Sequence, residues 1–212
     1  MMAVWAERIE RIECSNIIVV EGEEDKLFFE ALIRHLELQN IQVVSSEGKD
    51  NFRRTLKAVM NLPGSYEIES IAIVRDVDAN PESAFQSVCD AFRNAGLPVP
   101  EHPGAFAGDK PRAAVLILPG PDTPGMLEDL CLKAVAEDPA MRCVAEYFEC
   151  LRRNCLQFPG NVAKAKIQVF LASRERVGLR LGEAAQAGYL PWDADAFRPV
   201  RDFLKQISGD GV

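Results

Sequence analysis

Along the first two thirds of the chain, short β-branched runs alternate with longer stretches whose apolar positions recur at helical spacing. The runs predict strands at about 16–20, 41–45, 70–75 and 113–118, because short apolar runs rich in β-branched residues suit strands of a buried, mainly parallel sheet. Between the first two, "EDKLFFEALIRHLEL" puts Leu27, Phe28, Ala31, Leu32 and Leu36 on one helical face. Asp50 reads as the N-cap of a helix in "NFRRTLKAVMNL" that Pro63-Gly64 stops, and Pro81 and Gly96 bracket a third helix. This β-α-β-α-β-α-β order predicts an α/β fold: a central, mainly parallel sheet flanked by helices, with right-handed crossovers.

"LPVPEHPGAFAGDKPR" is too rich in Pro and Gly, and too long, for an ordinary connection. It reads as a mobile surface loop or as the carrier of a short irregular strand. After the fourth strand, "PGPDTPG" introduces a helix through Met126–Leu130, and further helices follow at about 140–154, 161–173, 180–187 and 195–207. The expected division is an α/β unit over 14–135 and a C-terminal helical extension over 136–212 packed on it.

A 212-residue chain that is 48% apolar has enough material for a sizeable core. No apolar run is long enough to span a bilayer and the first residues do not resemble a signal peptide, so the expected location is the cytoplasm without membrane contact. The six cysteines contain no C-x-x-C pair, which argues against structural zinc and a disulfide framework. The net charge of −8 argues against a protein that coats nucleic acid by bulk electrostatics. The charge is uneven, however: 13 basic residues stand against 24 acidic ones up to Pro139, and 11 against 8 from Ala140 onward.

The acids gather where the strands end. Glu21 follows the first strand, and Asp76 and Asp78 follow the third in "IAIVRDVDANP". Ligands bind at the C-terminal ends of the strands of an open parallel sheet. Residues two apart on an extended segment point the same way, so Asp76 and Asp78 can address one locus, joined by Glu21 if the two strands are neighbours. Oxygen ligands without His or Cys favour Mg²⁺ or Mn²⁺. Glu23, Glu24 and Asp25 have a plainer reading as acids favoured at a helix N-terminus, and Glu21 alone reads as a solvated loop glutamate.

"VVEGEEDKLFFEAL", "SSEGKDNF" and "IAIVRDVDANP" together resemble the topoisomerase-primase (Toprim) domain, with Glu21-Gly22 and Asp76-Val77-Asp78 matching its two hallmarks and Gly48-Lys49-Asp50 its second-strand turn. The resemblance covers about residues 14–135 and is closest to small stand-alone proteins related to the OLD (overcoming lysogeny defect) nucleases. It implies Mg²⁺- or Mn²⁺-dependent phosphodiester hydrolysis on DNA or RNA, with Glu21, Asp25, Asp76, Asp78 and Glu128 as metal ligands and Gly22, Gly48 and Lys49 in the cofactor-binding turns, where Lys49 is an alternative phosphate contact. It also points to a late-helix lysine, Lys164 or Lys166, as an electrophile beside the scissile phosphate. Glu128 and Asp129 equally suit a helix start, and both lysines equally suit a solvated helix face.

The chain departs from the resemblance in lacking a glycine shortly after Asp78, a tyrosine-bearing second domain, a zinc module and the G-x-x-x-x-G-K-[ST] loop of the OLD ATPase. These departures disfavour a topoisomerase or primase and make a separate ATPase a candidate partner. Two alternatives stand beside the nuclease reading. One is a non-catalytic metal- or nucleic-acid-binding partner subunit; the other is a phosphotransfer enzyme acting on a small nucleotide. Trp192 reads as a packing anchor, and His35 and His102 lack ligand-spaced partners.

Overall fold

The computed structural model describes residues 10–77, 79–154 and 157–209. Four parallel strands and one short antiparallel strand form a single sheet in the order β2-β1-β3-β5-β4. They are β1 (Asn16–Val20), β2 (Ile41–Ser45), β3 (Ser70–Asp76), β4 (Phe106–Ala107) and β5 (Arg112–Leu118). Every residue of β1 is buried, as the unbroken Ile17–Val20 run requires of a strand covered on both faces. β1 lies between β2 and β3 with Asn16 opposite both Ile41 and Ser70, so the chain leaves β1 and β3 at the same edge. The Pro- and Gly-rich segment supplies β4, which pairs with β5 through Phe106–Ala114 and Ala107–Ala113.

Side chains alternate between two cores. Ile17, Val19, Ile71 and Ile73 face one that is closed by α2 (Phe52–Val59) and α3 (Pro81–Ala95). Ile18, Val20, Ala72 and Val74 face the other, larger core. It is closed by α1 (Glu23–His35), α4 (Leu127–Ala134), α5 (Ala140–Asn154), α6 (Val162–Ala172), α7 (Leu181–Gln186) and α8 (Arg198–Ser208). Trp192 is an anchor of this layer, its ring 5.2 Å from Phe28 and 5.4 Å from Phe197. Among the described residues, no helix is long and apolar enough to cross a membrane.

Helix limits follow local chemistry with two departures from expectation. Asn80 caps α3 by accepting from the Ser83 N–H at 3.0 Å, Pro81 opens it, and Gly96 ends it in the left-handed conformation. Asp50, however, does not cap α2. The chain enters that helix through a 3₁₀ turn over Lys49–Asn51 that begins at Gly48, whose φ of 121° suits glycine. The helix also stops at Val59, before Pro63-Gly64; Gly64 instead opens another 3₁₀ turn and packs under Ile12. The first nine residues lie outside the described part.

α7 and α1 approach closely because Gly182 has no side chain. A Cβ there would meet the Glu24 carbonyl oxygen at 2.5 Å and the Leu27 Cβ at 2.8 Å. The Gly182 N–H donates to Glu24 Oε2 at 2.9 Å, and Gln186 Nε2 donates to the Leu27 carbonyl at 2.8 Å. Gly182→Ala is therefore expected to destabilise the protein by about 1–3 kcal/mol through overpacking. Thermal denaturation checks this, with a fall of about 2–4 °C per kcal/mol expected at this chain length; an unchanged midpoint would show that α7 is not held at this distance.

Candidate active site

Glu21 follows β1 directly, and Asp76 is the last residue of β3. Because those strands are parallel neighbours, the two carboxylates meet at one sheet edge, and Glu21 Oε1 accepts from the Asp76 N–H at 3.3 Å. Asp25 stands in the first turn of α1, one helical turn after Glu21, and its Oδ2 accepts from the Gly22 N–H at 2.8 Å. Thus Asp25 serves as a helix-start acid and also faces inward. Glu21, Asp25 and Asp76 line one enclosed space of about 10 Å³ walled by Val20, Phe29, Val74 and Leu118. That is the size of a single water-sized occupant.

α4 closes the next side. The Leu127 N–H donates to Asp76 Oδ1 at 3.0 Å, which ties the end of β3 to the start of α4. Glu128 then faces a larger cleft of about 680 Å³, while Asp129 Oδ2 turns back to accept from the Met126 N–H at 3.0 Å. The two acids that the sequence left paired are thereby separated: Glu128 lines the cleft and Asp129 caps the helix. Gly125 is required here, since a Cβ would lie 2.7 Å from that Asp129 oxygen.

The cleft shares Asp25 and Asp76 with the enclosed space, and its opposite wall is basic and polar, with Asn161, Lys164 and Gln168 from the α6 region and Arg180 at the start of α7. Lys164 and Lys166 part company on α6. Lys164 lines the cleft, whereas the Lys166 amine lies over the Phe148 ring at 5.9 Å. Arg174 makes a two-pronged pair with Asp138 at 3.1 Å, away from the cleft. Gly48 donates its N–H to the Glu21 carbonyl at 2.7 Å, and Ser46 Oγ donates to the same oxygen at 3.2 Å. Gly22, Gly48 and Lys49 border Glu21 along the chain or through this turn, but none lines the 680 Å³ cleft. Asp78 lies outside the described residues.

Sequence reasoning missed Glu24, which read as one more acid at a helix start. Glu24 lines the cleft, accepts the Gly182 N–H, and lies 3.8 Å from the Arg180 guanidinium. Its partners are more than 150 residues away, so no local spacing announces it. Asn161 was equally silent, although an Asn before an apolar run signals a helix cap, and its Oδ1 does accept the Lys164 N–H at 2.9 Å.

Crowding and burial dominate the electrostatics. Burial pushes the Asp76 carboxyl up to about 9, reinforced by the charges of Asp25, Glu21 and Glu128 and opposed by the hydrogen bond from Leu127. Burial likewise raises Asp25 to about 6; the Gly22 hydrogen bond opposes this, Glu128 and Glu24 add to it, and Lys164 counteracts it. Behind them Cys131 is fully buried, and burial together with the same acids drives its thiol well above its usual range. Cys131 is thus an inert filler. Among the described residues, no three His, Cys, Asp or Glu side chains form a ready-made metal cage. Glu21, Asp25, Asp76 and Glu128 are the carboxylates gathered at this edge.

A family model described as "Protein of unknown function (DUF3226)" matches residues 15–209. Among solved structures, the chain is similar to the C-terminal region of the Burkholderia pseudomallei OLD protein, with 17% identity, 94% of this chain and 100% of that chain covered, and a TM-score of 0.51. It is also similar to the C-terminal region of the Xanthomonas campestris pv. campestris OLD protein, with 18% identity, 93% and 97% covered, and a TM-score of 0.50. At such identities the likeness is one of fold. No curated protein matches the chain.

Raised carboxylate pKa values fix the sign of the pH dependence. The folded state holds protons that the unfolded chain releases near pH 4, so the contribution of Asp25 and Asp76 to stability is fully present below that pH. It is lost as pH rises through about 6 for Asp25 and about 9 for Asp76. In metal-free protein, Asp76→Asn keeps an oxygen for the Leu127 N–H and removes the ionisation. Its melting temperature is expected to exceed the parent's at pH 8 by about 2–4 °C or more, and to vary less between pH 5 and 9. Lower stability of the variant throughout that range would show that the carboxylate is not under electrostatic stress.

Proposed function

The chain belongs to the DUF3226 family, and we propose that its acidic cleft catalyses divalent-cation-dependent phosphodiester hydrolysis on nucleic acid. One observation carries this reading: Glu21, Asp25 and Asp76 line a single enclosed space at the C-terminal ends of adjacent parallel strands, and that space adjoins a cleft bearing Lys164. The fold shared with the C-terminal regions of OLD proteins, and the Toprim-like order of Glu21-Gly22 and Asp76-x-Asp78, support it.

Glu21, Asp25 and Asp76, with Asp78 and Glu128, would hold Mg²⁺ or Mn²⁺, which when bound neutralises developing phosphate charge and lowers the pKa of water. The protein's own groups divide the remaining work. Leu127 N–H donates to the Asp76 carboxylate and Gly22 N–H to that of Asp25, which favours orientations in which both face the shared space. Lys164, anchored at the first turn of α6 by Asn161, supplies a positive charge on the wall facing the acids, where it would hold a phosphate oxygen. The apolar walls at Val20, Phe29, Val74 and Leu118 restrict water, which strengthens every charge interaction in the space.

The test is cleavage of plasmid, single-stranded DNA and RNA by purified protein with Mg²⁺ or Mn²⁺, alongside Asp76→Asn and Lys164→Gln. Cleavage that requires the cation is expected, with a loss of at least a hundredfold in Asp76→Asn and roughly 10²–10³-fold in Lys164→Gln, the scale of losing one transition-state contact. Full activity in Asp76→Asn, or no cleavage of any substrate by the parent, would overturn the proposal. Saturating Mg²⁺ should also raise the parent's melting temperature through preferential binding to the folded state.

A further inference from the structure

Beyond the cleft, the α5–α6 surface carries two exposed aromatic rings that the core does not require. Tyr147 is 48% and Phe158 38% exposed, in contrast with the buried Phe148 between them. Phe148 makes edge-on contacts with both, its centroid 5.3 Å from Tyr147 and 5.9 Å from Phe158, so one buried ring supports two exposed ones. Cations accompany them: the Arg152 guanidinium lies 5.6 Å from the Phe158 ring, and the Lys166 amine 5.9 Å from that of Phe148. Phe158 lies three residues from Asn161, which lines the cleft and touches the Met126 sulfur at 3.2 Å. Three residues of chain span at most about 11 Å, so the backbone at Phe158 lies within that reach of the cleft wall at Asn161.

Charge complements this placement. The residues from Ala140 onward carry 11 basic groups against 8 acidic ones, within a chain whose net charge is −8. Within α5 Glu146 pairs with Arg142 and Glu149 with Arg152, so these acidic and basic charges offset one another. The cleft adds Lys164 and Arg180, the latter held near the rim beside Glu24. Rings flanked by cations form a platform for bases whose faces are free, and a paired duplex keeps its base faces stacked. The cleft volume of about 680 Å³ also falls in the range that holds a small ligand, roughly 300–1,000 Å³, rather than a rigid double helix.

We infer that the substrate is single-stranded nucleic acid: Lys164 and Arg180 hold phosphates within the cleft, and the flanking bases stack on Phe158 and Tyr147. This rests on the hydrolase reading for its purpose, but its test needs no turnover. Fluorescence anisotropy is read with labelled twenty-nucleotide oligo-dT, oligo-rU and a DNA duplex of equal length, in Ca²⁺ and without any divalent cation. The full-length parent is compared with Tyr147→Ala, Phe158→Ala and Arg180→Gln, each checked by its melting curve. Single strands are expected to bind at least tenfold more tightly than the duplex, and each aromatic variant to lose about fivefold or more. The dT and rU arms decide between DNA and RNA as the preferred strand.

Equal or tighter duplex binding overturns the inference, as does unchanged single-strand affinity in both aromatic variants. Because Phe158 also packs on Phe148, wild-type protein is in addition photo-crosslinked to 5-iodouracil-substituted oligonucleotide. Adducts at Tyr147 or Phe158 are expected, and adducts confined to other faces of the molecule overturn the assignment. Binding without cleavage would defeat the hydrolase reading while sustaining this one; cleavage of duplex and single strand alike would do the reverse.

Discussion

The arrangement of this protein turns on one electrostatic conflict: carboxylates from three chain segments share the end of a buried parallel sheet. β1 and β3 are buried on both faces by the flanking helices and pair directly in parallel, and that adjacency carries Glu21 and Asp76 to the same edge. α1 begins immediately after β1 and brings Asp25; α4 follows β5 and brings Glu128. With no cation bound, the folded protein relieves the crowding by holding a proton on Asp76 up to about pH 9 and on Asp25 up to about pH 6. Fixed backbone donors from Gly22 and Leu127 nevertheless hold both carboxylates in place. Such crowding costs stability as pH rises, and on the hydrolase reading proposed above a cation would take the place of the protons.

The helices after the sheet provide the opposite wall. Glu24 points away from the crowded acids to hold the start of α7, and the glycine at 182 lets that helix lie directly on α1. Arg180 and Lys164 consequently face the acidic edge across one cleft. The acidic part of the chain thus supplies the oxygen donors, and the weakly basic part supplies the groups suited to phosphate. On the proposed function, an acidic protein would in this way address a polyanion locally although its overall charge is repulsive.

Much of this was legible in the sequence because it depends on short-range patterns. The runs at Ile17–Val20 and Ile71–Val74 announce strands buried on both faces, and the acids that follow them fall at strand ends whatever the details of packing. Pro81 and Gly96 set the limits of α3 by backbone chemistry alone. Asp50 misled because an acid before a helix usually caps it, while the unusual backbone of Gly48 sends the chain through a 3₁₀ turn first. The different fates of Lys164 and Lys166, and of Glu128 and Asp129, were not legible, since helical rotation relative to a distant neighbour decides them. Glu24 stayed hidden for the same reason.

Calorimetric titration of metal-free protein with Mn²⁺ at pH 7.5 asks whether the crowded carboxylates form a cation site. Repeating the titration in buffers of different ionisation enthalpy counts the protons released on binding. Asp76 is protonated at that pH, so binding should release close to one proton, and the release should vanish in Asp76→Asn. Absence of binding, or binding with no proton release, would contradict that reading.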